Sequence, residues 1–457
     1  MERSEPQPEA DLQPGIGLRS ATALVVATMI GVGIFTSTGF QAEALPHPGF
    51  IVLLWVVGGG LAFCGALCYA ELGAAIPEAG AEYVYIRESF GYTAAFMSAV
   101  VSFVAGFAAP IAAVLKSLVI YLAHFIPVLE RNPELGGFLP AGDALAILLV
   151  WALILIHLRG LRHGLGFNDL VTGVKVLGII LLLLAALAIG HGHPENLTTV
   201  APSFHTMTLH DRMGAFATSL IFVMFCYSGY NAASYMASEV CEPQRVLPRA
   251  ILGGTALVMV LYLGLNMFYL YGADVNELAG NVEVGLLAAR NLFGPIGTGA
   301  VTAILLLTML SAASAMTVAG PRVSYAMGRD FPAFRIIAEV SPTRHVPTVA
   351  LLAQGILTSA IILTGSVDQI QQYVGIALTV FSSLAVASVL VLRWRKPTLA
   401  RPFKTWGYPF TPILFLVISL WTLVWNVQRR PLESLLVLVT VLLAGLLGRW
   451  TKQATQG

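Results

Sequence analysis

Charge is what this sequence has least of. Only 11% of its 457 residues are Asp, Glu, Lys or Arg, against about 25% in an ordinary soluble domain. With 57% hydrophobic residues, a soluble chain of this length could not hide its apolar surface, even divided into several domains. The chain is therefore read as an integral membrane protein. Neither sign of charge dominates: the net charge is +1, so the balance suggests no nucleic-acid or acidic partner. Cysteine is scarce too. Cys64 and Cys68 share one apolar run, Cys226 lies in another and Cys241 just past its end. None falls in an expected external segment, which argues against a disulfide framework. Residues 1–14 are polar, proline-containing and acidic and are expected to form a disordered cytoplasmic tail, since a secretory signal would need a basic start and an apolar core. No G-x-x-x-x-G-K-[ST] run is present, which disfavours a primary pump.

What the chain does have is apolar runs bounded by Gly, Pro and charge clusters. They place twelve spans near 17–44, 49–76, 91–125, 140–158, 164–190, 213–239, 248–272, 299–328, 346–364, 369–393, 409–427 and 431–449. Runs this long mean helices, because backbone in lipid must satisfy itself; the alternation of a membrane barrel is absent. One transmembrane domain, 15–450, is expected, with a short tail over 451–457. Most of the lysines and arginines fall on one side if the N-terminus is cytoplasmic, and both termini then lie inside the cell membrane.

Two spans are interrupted at their midpoints, the first by Gly31-Val32-Gly33 and the sixth by Ser228-Gly229-Tyr230-Asn231. Glycine costs about 1 kcal/mol relative to alanine within a helix. Each interruption alone is equally well read as a close-packing device. As a pair they correspond if the first ten spans are two repeats of five, about 17–190 and 213–393, with extra helices about 409–449. Matched breaks in two halves point to a transporter binding site.

The residues around these breaks resemble a known family. Met29-Ile-Gly-Val-Gly-Ile-Phe35 is similar to the first-helix motif of the amino acid–polyamine–organocation transporters. So are the run from Tyr69 to Tyr85 after span two, Phe225 to Asn231 in span six and Ser238 to Ile251 beyond it. Gly320 to Asp330 after span eight and Arg401 to Pro409 complete six matches in the family's order. They most resemble bacterial relatives of the L-type amino acid transporters. The resemblance implies an all-α membrane fold of 5+5 inverted repeats plus two C-terminal helices, alternating access, and an amino acid or close relative as substrate. No cofactor and no metal are implied.

A broken helix offers free N–H groups at the start of its second half and free carbonyls at the end of its first. Val32, Gly33 and Ile34 are thus expected to hold the substrate carboxylate, with Gly33 letting the ligand approach the backbone. The carbonyls of Met29, Ile30, Phe225, Cys226 and Ser228 are candidates for its ammonium, and the resemblance maps the family's recognition pattern onto these positions. Where many relatives carry Ser or Ala, this chain has Val32, so no hydroxyl is available there. Phe225 stands where the family's aromatic closes over the substrate from outside. A mid-membrane Asn231 must be hydrogen-bonded; it either braces the unwound segment or touches substrate. In span three, spacing makes Ser102, Ala105, Gly106 and Ala109 candidates for the side-chain pocket.

Lys175 lies too deep in span five to snorkel easily, and an ionisable group there is a functional candidate by default. The resemblance implies that its ammonium stands in for the sodium of sodium-coupled relatives. It would bind carbonyls near Gly31 and a hydroxyl of span eight, Ser311 or Ser314; a desolvated lysine could also carry a proton. Lys116 has two readings, snorkelling outward or pairing within the bundle. His191, His193, His205 and His210 lack the Cys or acid partners of a metal site and read as a solvated loop. Glu71, Glu239, Arg245, Arg249, Arg322, Arg329 and Asp330 cluster at expected cytoplasmic helix ends, as an inner gate or as topology anchors.

The leading reading is a sodium-independent transporter of neutral amino acids, an exchanger or proton-coupled. The alternative within the fold is a sodium-coupled, or cationic amino acid or polyamine, transporter. A membrane enzyme would need a catalytic constellation at depth, and none is found. A receptor that binds without moving its ligand is the other rival. Besides the amino acid and the lipid bilayer, no partner is expected: the loop near 126–139 has no cysteine for the covalent subunit that the animal L-type transporters carry.

Overall fold

The computed structural model describes residue 12 and residues 14–454, apart from 124 and 136–138. The tail expected over 1–14 lies mostly outside the described residues. Helices dominate; a two-residue strand pair, Glu134–Leu135 with Leu139–Pro140, lies in the loop between two helices.

The first span is two helices, α1 (Leu18–Met29) and α2 (Gly33–Ala44). α3 (Pro48–Ala75) starts where Pro48 supplies a preset first turn and His47 Nδ1 accepts the Gly49 N–H at 3.0 Å. The short α4 (Glu82–Phe90) leads into α5 (Tyr92–Ala123), whose middle, Ser102–Ala108, is wound as a π-helix. α6 (Ala141–His157) and α7 (Leu161–Ile189) follow. The sixth span is again two pieces, α8 (Leu209–Tyr227) and the single turn α9 (Ala232–Tyr235). Then come α10 (Pro243–Gly272), α11 (Val284–Ala319), α12 (Pro321–Asp330), α13 (Thr348–Thr364), α14 (Val367–Arg395), α15 (Phe410–Arg429) and α16 (Pro431–Ala454).

Among the described residues, nine helical segments are long and apolar enough to cross a membrane. α6 and α13 are apolar but have only 17 residues, a little under the roughly 20 that a bilayer core asks of an untilted helix. α8 opens with a charged first turn and ends at the break. Against the expected twelve spans, the difference therefore lies in short and interrupted helices. Two sequence boundaries also move. The helix of span eight begins at Val284, bends where Gly294 adopts φ 67°, and is followed by a separate α12. The last helix continues through Ala454, past the expected boundary at 450.

Burial sorts the helices into centre and rim. In the first span 89% of the most apolar window is buried, against 22% in the last. α1 packs on α7, α10 and α11 at the centre, whereas Leu435, Val439, Leu442 and Leu446 of α16 face outward. Such an apolar rim is stable only against lipid. The first break is thus at the heart of the bundle, where every unpaired backbone group must find a protein partner.

Candidate functional site

α1 ends because Gly31 and its neighbours leave helical geometry: Ile30 turns to ψ 87°, and the Gly31 N–H reaches back only to the Met29 carbonyl, at 3.0 Å. The next intrahelical bond is Phe35 N–H to Val32 carbonyl at 3.0 Å. Val32, Gly33 and Ile34 therefore occupy the donor-rich start of α2. At this start Gly33 is tightly covered. A Cβ there would stand 2.5 Å from Cys226 Sγ and 3.1 Å from the Phe225 ring. Phe225 and Cys226 thus lie directly over the expected carboxylate position.

The carbonyls of the first break are already engaged. The Lys175 ammonium, 1% exposed, donates to Ala27 and Ile30 carbonyl oxygens, each at 3.1 Å. Ser311 pairs with Thr172, one turn before Lys175 on α7, at 3.2 Å, and Ser314 with His157 Nε2 at 3.0 Å. The Tyr262 hydroxyl on α10 lies 2.5 Å from the Met29 carbonyl and 3.0 Å from that of Cys226. One side chain thereby links the carbonyl ends of both broken spans. Its ring sits among Trp55 and Tyr227 with centroids 5.3 and 5.0 Å away.

The second break differs in kind. Ser228 caps its own helix, its hydroxyl donating to the Phe225 carbonyl at 2.6 Å. Gly229 takes φ 97°, and a Cβ there would lie 2.6 Å from Thr28 of α1, so glycine is required on both counts. Asn231 Nδ2 donates to Glu82 Oε1 at 3.0 Å and lies 3.3 Å from the Tyr235 hydroxyl. These bonds brace the unwound segment. Asn231 also lines the cavity below the break, with Thr28, Ser228, Gly106 and Tyr235. Gly106 and Phe107 come from the π-helix and Pro110 from the α-helical turn after it; Ala105 and Ala109 are packed away, and Ser102 turns to Glu82.

The charged residues at the helix ends resolve into separate pairs. Arg322 holds Glu239 at 2.9 and 3.1 Å, both almost fully buried. The Glu239 carbonyl also accepts the Gly15 and Ile16 N–H groups, strapping the start of the described chain across span six. Glu71 binds Arg393, Arg401 and the Thr405 N–H, and Asp330 binds Arg87 and Tyr83. Arg245 makes an exposed contact with Glu242, and the Arg329 guanidinium lies over the Tyr325 ring. Lys116 pairs inside the bundle, with Asp143 at 3.0 Å and the Ile362 carbonyl at 2.7 Å. His193 sits in the exposed loop beside Glu195, and all four cysteines are free.

Three residues of this site escape sequence reading. Tyr262 looks like one aromatic among many; its signal is that a buried tyrosine hydroxyl needs a partner. Asp143 looks like a first-turn acid of α6. Glu82 sits in a polar stretch between spans, where a carboxylate draws no attention.

The sequence has clear relatives. The family model for amino acid permeases matches residues 16–446. The mouse b(0,+)-type amino acid transporter 1 is 27% identical over 439 residues, covering 95% of this chain and 87% of that one. The rat large neutral amino acids transporter small subunit 2 is 28% identical, covering 92% and 80%. The mouse Asc-type amino acid transporter 1 is 27% identical, covering 92% and 78%. With interrupted first and sixth spans around a central cavity and a family match along nearly its whole length, the chain belongs to the amino acid permeases of the amino acid–polyamine–organocation superfamily.

Proposed function

We propose that this protein is a sodium-independent secondary transporter of neutral amino acids, working by alternating access as an exchanger or with protons. The observation that carries the reading is Lys175. Its ammonium lies 3.1 Å from two carbonyls of the first break, a fixed charge where a coupling sodium would otherwise need those oxygens. Two like charges a few ångströms apart repel by several kcal/mol even at an effective dielectric constant of about 20.

The substrate carboxylate binds the Val32, Gly33 and Ile34 N–H groups once Phe225 and Cys226 withdraw, which makes Phe225 the outer gate. The ammonium takes the second lone pairs of the Met29, Phe225 and Cys226 carbonyls, with Ile30 and Ser228 nearby. A neutral side chain is favoured because the cavity lining, among the described residues, contains Thr28, Ser228, Asn231, Thr379 and Ser382 but no Asp, Glu, Lys or Arg. The relatives named for large neutral amino acids point the same way.

The same reading takes twelve spans in 5+5 inverted repeats with two further helices, in the cell membrane, both termini cytoplasmic. Its support is that a broken helix opens each set of five, and that Arg322, Arg393 and Arg401 gather at one end. Function without a covalent subunit belongs to it as well. The test is initial uptake of a panel of amino acids into proteoliposomes, with sodium, potassium or choline outside. Equal rates are expected in all three; a sodium requirement overturns the role of Lys175.

A further inference from the structure

Glu82 is fully buried, at the first position of α4, outside the spanning helices but pushed up against the break in span six. Its carboxylate accepts hydrogen bonds from the Tyr69 hydroxyl, from Asn231 Nδ2 at 3.0 Å and from the Ser102 hydroxyl at 3.2 Å; the Tyr235 hydroxyl adds another. These donors come from four places: α3, the break itself, the π-helix of α5 and α9. All are neutral. Tyr230 and Tyr85 are the other titratable groups close by.

The cations of the surrounding elements are committed elsewhere. Arg87 binds Glu78 and Asp330, Arg393 binds Glu71, Arg322 binds Glu239, and Arg395 donates to the Ser89 carbonyl. Among the described residues no lysine, arginine or histidine pairs with Glu82. Burial without a cation pushes its carboxyl above the ordinary range, and the hydrogen bonds pull it back in part. The helix N-terminus also favours the charged form. Opposed influences of this kind keep a group able to change state.

The backbone that delivers Glu82 is strained. Gly80 takes φ 105° and Ala81 φ 43°, and the Gly80 N–H donates to the Tyr235 carbonyl at 3.1 Å. The turn is therefore tied to the segment, 231–235, that donates to the carboxylate. Any movement of that segment loosens both attachments together, and residues held in such conformations concentrate at switches.

Building on the transporter reading above, we propose that Glu82 is a proton-binding latch on the unwound part of span six. It is neutral while Asn231 and Tyr235 pack against it, with Tyr235, Ser102 or Tyr69 able to accept its O–H. When that segment swings away and water enters from the cavity, the O–H bond breaks. The electron pair stays on the carboxylate and the proton passes to that water. Re-closure requires a proton to return from water to the same oxygen.

Two measurements test this. Infrared difference spectra of the purified protein in bilayers, acid minus neutral, read the protonated carboxyl directly and need neither substrate nor flux. The unmodified protein is expected to show a titrating carboxylic-acid carbonyl band that is lost in Glu82→Gln, and an identical band in that variant overturns the proposal. Glutamine mimics the neutral group and keeps an acceptor for Asn231; should it fail to fold, Glu82→Asp must shift the band's midpoint, and an unmoved band overturns the proposal equally. Uptake against pH is the second measurement: Glu82→Gln is expected to lose the pH dependence of the unmodified protein, and an unchanged profile counts against the latch. Failure of the unmodified protein to transport any amino acid would sink the transporter reading, while the infrared band still decides Glu82.

Discussion

At the first break the polar wiring comes from a cation and a tyrosine, and both address carbonyls. Lys175 takes Ala27 and Ile30, and Tyr262 takes Met29. At the second break it comes from an acid that addresses donors, since Glu82 receives Asn231 and its neighbours. Each buried ionisable group thus faces neutral groups of one helix interruption instead of a counter-ion. The difference has a mechanical consequence. The first break is pinned from α7 and α10, which pack directly on α1. The second is tied to the loop helix α4 beside its own cavity, with Tyr262 reaching only the Cys226 carbonyl before it.

The largest expected effect is at the first break. Gly33→Val should reduce uptake to background while the protein still inserts, because the new side chain fills the carboxylate position and collides with Cys226 and Phe225. Normal uptake by this variant would equate the two breaks as mere packing devices. Next comes the anchor beyond the second break. Arg322→Ala leaves Glu239 buried without its partner and should cost about 3–5 kcal/mol, read as a lowered thermal unfolding temperature in detergent. An unchanged temperature would mean that the far end of span six holds itself.

Lys175→Ala is expected to act on flux more than on expression. Two carbonyls at the centre lose their donor, at about 1–3 kcal/mol each, so uptake should fall while yield changes less. If yield and uptake fall together, the lysine is a structural pin and the first break has no ion of its own. The smallest effect belongs to Gly229→Ala. Its positive φ adds about 1–3 kcal/mol of strain, and Thr28 must shift; slower uptake with the substrate concentration for half-maximal rate little changed is the expected pattern. A change confined to apparent affinity would instead place Gly229 against the substrate.

What could be read from the sequence is set by how local the signals are. Hydropathy over some twenty residues announced the membrane, glycines within a few positions announced both interruptions, and a single lysine in an apolar run announced Lys175. Its carbonyl partners near Gly31 were also within reach of the family resemblance. The partners that Ser311 and Ser314 find in Thr172 and His157 come from other helices and leave no local signal.

The sequence by itself determined that this chain lives in lipid, that its first and sixth helices break, and that a cation stands at membrane depth. It did so because burial, helix propensity and charge act on neighbouring residues. Only the tertiary structure decided what each break is wired to. Asn231 meets Glu82 across 149 positions and Tyr262 meets Met29 across 233, and such pairings arise when helices pack and every buried polar group must find a partner. A carboxylate in a polar loop motif and a tyrosine among many are unremarkable along the chain; burial at the breaks makes them part of the site.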